Sequence, residues 1–267
     1  MLKDITIGQY FPGESSVHQL DPRIKIILTM LFVILIFMIQ SYWGYMIVFA
    51  YLVLTTIISG ISYKYLLRGL KPLLYIIIFT FVINVFFSTG THMLWKWSLI
   101  TITYEGLDQA THMALRLVFL VLGTSLLTLT TSPISLTDGI EQMLNPLKVF
   151  KFPAHELAMM MTIALRFIPT LLEETDKIMK AQMARGADFE SGNILQRAKS
   201  LVPLLVPLFI SAFRRADELA MAMESRCYRG GENRTRMKVL SIEKRDYISI
   251  LITLIFMMAV IWDGYWR

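Results

Sequence analysis

Asp176-Lys-Ile-Met-Lys-Ala-Gln-Met-Ala-Arg185 and Asp217-Glu-Leu-Ala-Met-Ala-Met-Glu-Ser-Arg226 are two helix-forming stretches whose first and last residues match at a constant offset of 41 positions. Each stretch has an Arg in its last turn and a glycine soon afterwards, Gly186 or Gly230, and this combination is typical of a helix end. Each arginine can simply complement the negative end of its helix dipole. The second interpretation is that both helices present an Arg at the tip to the same kind of partner.

The composition of the chain places it in a membrane. Hydrophobic residues make up 55% of the 267 positions and aromatic residues 12%, which is more apolar surface than one soluble core can bury. The net charge of +6 reflects membrane topology if Lys and Arg cluster on one side, so no nucleic-acid partner is predicted. One cysteine excludes an internal disulfide, and the four scattered histidines lack metal-ligand spacing. We therefore predict no metal and no cofactor.

Five apolar runs predict five transmembrane helices, and the expected fold class is an all-α membrane protein with additional cytoplasmic amphipathic helices. Four of the runs fall in residues 1–131 and one in residues 247–267, on either side of a polar region at 132–246. The first two runs are separated by only five residues, which predicts a helical hairpin. The runs are residues 24–39, 45–59, 73–87, 107–129 and 247–262.

The positions of the cations and tryptophans predict the orientation of the chain. Residues 62–71 carry three cations and no acid, which indicates a cytoplasmic loop, whereas residues 89–106 carry two tryptophans and one cation and indicate an interfacial loop on the other side. This pattern puts the N terminus and residues 132–246 in the cytoplasm and the C terminus outside the plasma membrane. Arg116, inside the fourth predicted span, is interpreted as facing neighbouring helices or snorkelling.

Three helices are predicted within the polar region. A short one begins near residues 132–135 and ends at 145, and two long amphipathic ones cover 154–185 and 197–226. Residues 154–172 nearly qualify as a sixth span. A crossing there would place the two arginine tips on opposite sides of the membrane unless residues 201–213 also crossed, and two prolines in that run argue against it.

Four motifs, in this order, resemble those of EcfT, the transmembrane T component of energy-coupling factor (ECF) transporters. The resemblance covers nearly the whole chain. The motifs are Leu20-Asp-Pro-Arg-Ile-Lys25, Ala164-Leu-Arg-Phe-Ile-Pro-Thr-Leu-Leu-Glu-Glu174, Ala181-Gln-Met-Ala-Arg-Gly-Ala187 and Arg215-Ala-Asp-Glu-Leu-Ala-Met-Ala-Met-Glu-Ser-Arg226.

The resemblance implies a scaffold that joins two ABC-type ATPases to a small membrane subunit that captures a vitamin or other micronutrient, with several capture subunits as possible alternatives. It implies that Ala184-Arg185-Gly186 and Ser225-Arg226-Cys227 each dock on one ATPase. The second triplet departs from the commoner Ala-Arg-Gly form at both flanking positions. The apolar run 201–210 is too short to span a bilayer before the next cations. It is predicted to contact either the capture subunit, through Leu201, Leu204, Leu205 and Leu208, or the membrane face beneath it.

Two other functions remain as alternatives at this stage. A self-contained permease would need its own substrate path with paired intramembrane charges, and only Arg116 and Asn84 are available. A membrane enzyme would need a catalytic constellation, and the sequence offers none. No GxxxxGK[ST] phosphate-binding loop occurs anywhere in the sequence, so the chain is predicted not to hydrolyse ATP itself.

Overall fold

A computed structural model of the chain describes residues 10–87, 92–97, 100–150, 152–189, 193–230 and 239–265. Within them the chain forms two compact units. The first unit contains residues 10–139 and 239–265, and the second contains residues 140–230. Helices dominate both units, so the predicted all-α membrane fold class is confirmed, with one short β-hairpin as an addition.

The first two helices form the predicted hairpin. Helix α1 spans Pro22–Met38 and α2 spans Tyr42–Ser59. The side chain of Asp21 caps α1 by accepting from the Arg23 amide, and Pro22 opens the helix at a position where its missing N–H has no cost. The turn between the helices is shorter than predicted, because α2 begins at Tyr42 with Ser41 as its cap.

Residues 62–71 were predicted to be a loop, and this is wrong. They form helix α3 (Tyr63–Leu70), followed by a 3₁₀ turn (Lys71–Leu73) and helix α4 (Leu74–Phe87). The reason is that Leu66 buries against Ile61 and Leu129, which gives the cationic segment an apolar face on which to fold.

The predicted interfacial loop at 89–106 is also different in the structure. Strands β1 (Met93–Trp97) and β2 (Ile100–Thr103) pair antiparallel, and helix α5 (Tyr104–Thr130) begins directly after them. The Thr103 side chain caps α5 by accepting from the Gly106 amide. All four residues of 100–103, Ile-Thr-Ile-Thr, are β-branched, which favours a strand over a loop.

The core of the first unit lies where α1, α2, α5 and α9 (Lys244–Tyr265) meet. Ile36 is fully buried there, with Tyr45, Val48, Phe119 and Val260 around it. On the outside, the same helices expose long rows of Ile, Leu, Phe and Met. Such a surface is expected in a bilayer rather than in water.

The second unit is built mainly from two long helices. Helix α6 (Pro133–Leu144) and a 3₁₀ segment (Asn145–Phe150) lead into α7 (Ala154–Ala184), and α8 spans Ile194–Ser225. All three predicted helices of the polar region are confirmed, α8 with a start three residues earlier than expected. Pro169 lies inside α7, and Pro203 and Pro207 lie inside α8.

Within the described residues, five helical segments are long and apolar enough to cross a membrane: α2, α3–α4 together, α5, α7 and α9. The number agrees with the prediction, but the membership differs. Helix α1, with 17 residues, is about 26 Å long and slightly shorter than a bilayer core. Helix α7 qualifies by length and composition, because Glu156 and Arg166 are its only charges before residue 173. That residues 154–172 stay outside the bilayer remains a prediction.

Candidate functional site: two arginine helix tips

The end of α7 is a Schellman motif that places Arg185 at the helix tip. The carbonyl of Gln182 accepts from the amides of Arg185 and Ala187, both at 3.0 Å, and the carbonyl of Met183 accepts from Gly186 at 3.0 Å. Gly186 has φ +89°, the left-handed conformation that this motif requires and that glycine adopts without steric cost.

The end of α8 repeats the same motif. The carbonyl of Met223 accepts from the amides of Arg226 and Tyr228 at 3.2 and 3.0 Å, and the carbonyl of Glu224 accepts from Cys227 at 2.8 Å. Cys227 is the one described non-glycine residue with a positive φ, +55°. Left-handed backbone is uncommon for a residue with a side chain.

The two tips are equivalent residue by residue. Every donor and acceptor in the second motif follows its counterpart in the first by 41 positions, which is the offset found in the sequence. Cys227 occupies the place of Gly186. The expectation that Gly230 ends the second helix is therefore wrong, although Gly230 also has a positive φ.

Both arginines are available to a partner. All six residues of the two triplets are exposed: Ala184, Arg185, Gly186, Ser225, Arg226 and Cys227. Among the described residues, neither guanidinium has an ion-pair partner. A guanidinium is always charged and offers five donors in a planar fork, which suits carboxylates and backbone carbonyls.

The pairing of α7 with α8 separates the tips. Glu174 accepts a hydrogen bond from Ser211 (2.6 Å) and pairs with the Arg215 guanidinium (2.7 Å). Eight residues further along α7, the Gln182 side chain donates to the carbonyl of Pro203, which lies eight residues back from Ser211. The two helices therefore run antiparallel. Residue 200 of α8 comes level with Arg185, and Arg226 lies 26 residues further, about 39 Å away along the helix.

The prolines in α8 contribute to this pairing. Because Pro207 has no N–H, the carbonyl of Pro203 loses its usual partner four residues on. The side-chain amide of Gln182, on α7, donates to that carbonyl at 3.4 Å. From the sequence alone, these prolines argue only against a membrane crossing.

The apolar run of α8 is divided between a buried and an exposed side. Of the four leucines predicted to contact a capture subunit, Leu204 is only 6% exposed and Leu208 is half buried. Leu201 and Leu205 are exposed, together with Val202 and Phe209 on the same helix. A partner contact on this run would therefore use Leu201 and Leu205, and Leu204 holds the unit together.

A second polar cluster, in the first unit, explains the Leu20–Lys25 motif. The Asp246 carboxylate is 2% exposed and accepts from the amides of Asp21 (2.9 Å) and Glu243 (2.8 Å). The Lys25 ammonium is also buried and donates to the carbonyls of His18 and Thr130 and to the hydroxyl of Thr131. The cluster ties the start of α1 to the end of α5 and the start of α9.

Asp21 is both the cap of α1 and an ion-pair partner in this cluster. Burial would raise the pKa of its carboxyl, but hydrogen bonds from the side chain and amide of Arg23, together with the Arg23 charge, lower that pKa below its ordinary value. Asp246 was not predicted as part of this cluster, although its position three residues after Glu243 is that of a side chain that caps a helix start.

Arg116 and the metal-ligating residue types do not form a further site among the described residues. Arg116 donates to the carbonyl of Ile39 at 3.4 Å and lies over the ring of Phe37, 5.5 Å from its centre, which confirms that it faces a neighbouring helix. In the part of the chain that the structure describes, no group of three or more His, Cys, Asp or Glu side chains could hold a metal ion.

Comparison with known proteins identifies the family. The family model CbiQ, described as a cobalt transport protein, matches residues 13–237. A protein of Thermosediminibacter oceani is 63% identical over 252 residues, covering 94% of this chain and 95% of that protein. Relatives from Clostridium kluyveri (56% identity, 100% and 99% covered) and Bacillus subtilis (48%, 98% and 98%) carry the same name. That name is energy-coupling factor transporter transmembrane protein EcfT, and the chain belongs to this family of multi-pass membrane transporter components.

Proposed function

We propose that the chain couples ATP hydrolysis by two ABC-type ATPases to the movement of a small membrane capture subunit that brings in a vitamin or other micronutrient. The observation that carries the proposal is the pair of helix tips with the same backbone motif. Two exposed arginines, held by the same backbone motif, lie at opposite ends of one antiparallel helix pair. A separation of about 39 Å suits two separate partner subunits better than one small site.

The backbone motif gives each arginine the properties of a docking group. Each helix ends at its arginine, and both arginines are exposed at the tip, so their guanidinium groups are accessible to a partner. The tip itself is rigid because the orphan carbonyls of the last turn are bonded. A rigid tip bearing a fork of donors can enter a groove on a moving partner and transmit displacement without fraying.

The exposed apolar side of α8 supports a third contact. Leu201, Val202, Leu205 and Phe209 lie on one helix, and all are at least 41% exposed. We propose that this surface contacts the capture subunit, since an apolar patch of this kind on an otherwise amphipathic helix is typical of a protein interface.

The orientation follows the charges. We propose that the N terminus, α3 and the second unit are cytoplasmic and that the C terminus is extracellular. With Cys227 replaced, a reporter cysteine at Lys64 or Lys199 should be protected from an impermeant thiol reagent in intact cells, and one at Lys96 should be labelled. Labelling of the Lys199→Cys variant would contradict the cytoplasmic placement of α8.

The deciding experiment measures retention of the ATPases when the tagged chain is purified with its partner subunits. Truncating an Arg that is a hot spot of an interface costs at least about 2 kcal/mol, so, if the tips are the docking groups, Arg185→Ala and Arg226→Ala should each weaken retention by about thirtyfold. Arg185→Lys should rescue only partly, because an ammonium lacks the planar fork. The double variant should lose both ATPases and transport.

Two control variants make the result specific. Arg229→Ala, three residues beyond the second tip and equally exposed, should leave the ATPases bound. Leu205→Glu should release the capture subunit and not the ATPases. Full ATPase retention by the folded double variant would leave each arginine only as a helix-dipole complement, worth about 0.3 to 1 kcal/mol, and would reject the docking proposal.

A further inference from the structure

The first unit contains a cavity of about 350 Å³ between α1, α2, α5 and α9. This volume is at the lower end of the range for binding sites of small molecules. Its walls are mostly Leu, Ile, Phe and Val, with several hydroxyl side chains among them. None of the residues proposed to dock partner subunits lines it.

The cavity is charged at one end and apolar at the other. Lys25 of α1 and Arg245 of α9 line the charged end, and among the described residues its lining contains no Asp or Glu. The apolar end is formed by Phe32 and Gly123. Phe32 lies seven residues after Lys25 on α1, and Gly123 lies seven residues before Thr130 on α5. At 1.5 Å per residue the two ends are about 10 Å apart. A ligand that fits must be an amphiphile with an anionic head.

The side of the cavity opens towards the membrane-facing surface of the unit. Leu54 and Ile58 of α2 and Ile248 of α9 line the cavity and are also exposed, Ile248 by 57%. These exposed lining residues are apolar, so entry from the bilayer is favoured over entry from water. This identifies the ligand class as a lipid rather than a soluble anion.

The two cations differ in how free they are to bind a head group. The Lys25 ammonium already has three oxygen acceptors from the protein. Among the described residues, the Arg245 guanidinium has one charged contact, to Glu243 at 3.6 Å. Both side chains are at least half exposed, a geometry in which an ion pair is weak. The nearby Asp246 carboxylate is occupied by two backbone amides. Arg245 can therefore exchange Glu243 for a phosphate.

We propose that this cavity binds an anionic phospholipid, with one acyl chain between α2 and α9 and the phosphate on Arg245. The bound lipid contacts all four core helices, next to the cluster of Lys25 and Asp246 that joins α1, α5 and α9. It acts as a structural ligand of the first unit, and its binding is independent of the docking of partner subunits.

The test compares lipids on the purified full chain by native mass spectrometry and by the shift in Tm. Phosphatidylglycerol should be retained and should raise Tm more than phosphatidylcholine with the same acyl chains, and inorganic phosphate should have no effect. Arg245→Gln should weaken phosphatidylglycerol retention about tenfold or more, because a charge-assisted hydrogen bond is lost. Its neighbour Lys244 is exposed and does not line the cavity, so Lys244→Gln should behave as the wild type.

A second pair of variants tests the cavity itself. Ser249 lines it one turn from Arg245, and Ser249→Phe should exclude the acyl chain. Leu251 is exposed on another side of α9, and Leu251→Phe should retain the lipid. Equal retention of the two lipids would overturn the proposal. Equal losses of lipid in Arg245→Gln and Lys244→Gln would also overturn it, because they would indicate surface electrostatics only. A rise in Tm with inorganic phosphate alone would overturn it as well, because it would indicate a head-group site without an acyl chain.

Discussion

The backbone at the two helix tips gives the sharpest prediction, because one tip has glycine and the other cysteine at the same left-handed position. A Cβ added at Gly186 would meet nothing within 4 Å, so Gly186→Ala changes only backbone energetics. Left-handed backbone costs a non-glycine residue about 1–2 kcal/mol, and the lower entropy of the unfolded segment returns about 0.4–1 kcal/mol. The free energy that keeps the α7 tip closed should therefore fall by about 1 kcal/mol in Gly186→Ala. Cys227→Gly should stabilise the α8 tip by a similar amount.

The assay is site-resolved hydrogen exchange of the amides that close each motif. Ala187 donates to Gln182, and Tyr228 donates to Met223, so their exchange reports opening of the tips. A change of 1 kcal/mol corresponds to about fivefold. Exchange at Ala187 should accelerate about fivefold in Gly186→Ala, and exchange at Tyr228 should slow about fivefold in Cys227→Gly. Unchanged exchange at both amides would refute the claim that the left-handed residue maintains the arginine tips.

Two further predictions concern the first unit. Gly123→Ala should lower the free energy of unfolding by about 1–3 kcal/mol, since the added Cβ would overlap the ring of Phe32. The control in the same thermal-unfolding assay is Gly264→Ala, whose added Cβ would meet nothing within 4 Å. Because the folded state lowers the pKa of Asp21, its contribution to stability is complete above the unfolded pKa of about 3.9 and is lost as pH falls through the lower folded pKa. Asp21→Asn should therefore reduce stability at pH 7 and flatten the acid limb of the pH–stability curve.

The features that could be predicted from the sequence are those in which one segment carries its own signal. Both long helices of the second unit and their arginine tips follow from local periodicity and end signals. The hairpin of α1 and α2 follows from two apolar runs separated by a short gap. In each case the residues that decide the structure are within one or two turns of each other.

The features that escaped prediction depend on distant residues. Helix α3 looked like a cationic loop because Leu66 finds its apolar partner in Leu129, 63 positions away. The cluster around Asp246 joins residues 225 positions apart. Cys227 replaces a glycine in a motif that requires a positive φ, so the glycine that looked like the helix end, Gly230, was the wrong one.

The interaction that fixes the distance between the tips is at the middle of the helix pair. Glu174 contacts Ser211 and Arg215, which are one helical turn apart on α8, so one carboxylate opposes both sliding and rotation of the helices. A slip by one turn would lose at least one of the two contacts and change the separation of Arg185 and Arg226 by about 5.4 Å. A partly exposed ion pair of this kind adds little stability on its own. Under the proposed function its value is geometric, because two arginines on one rigid body could serve two partner subunits only while their spacing is constant.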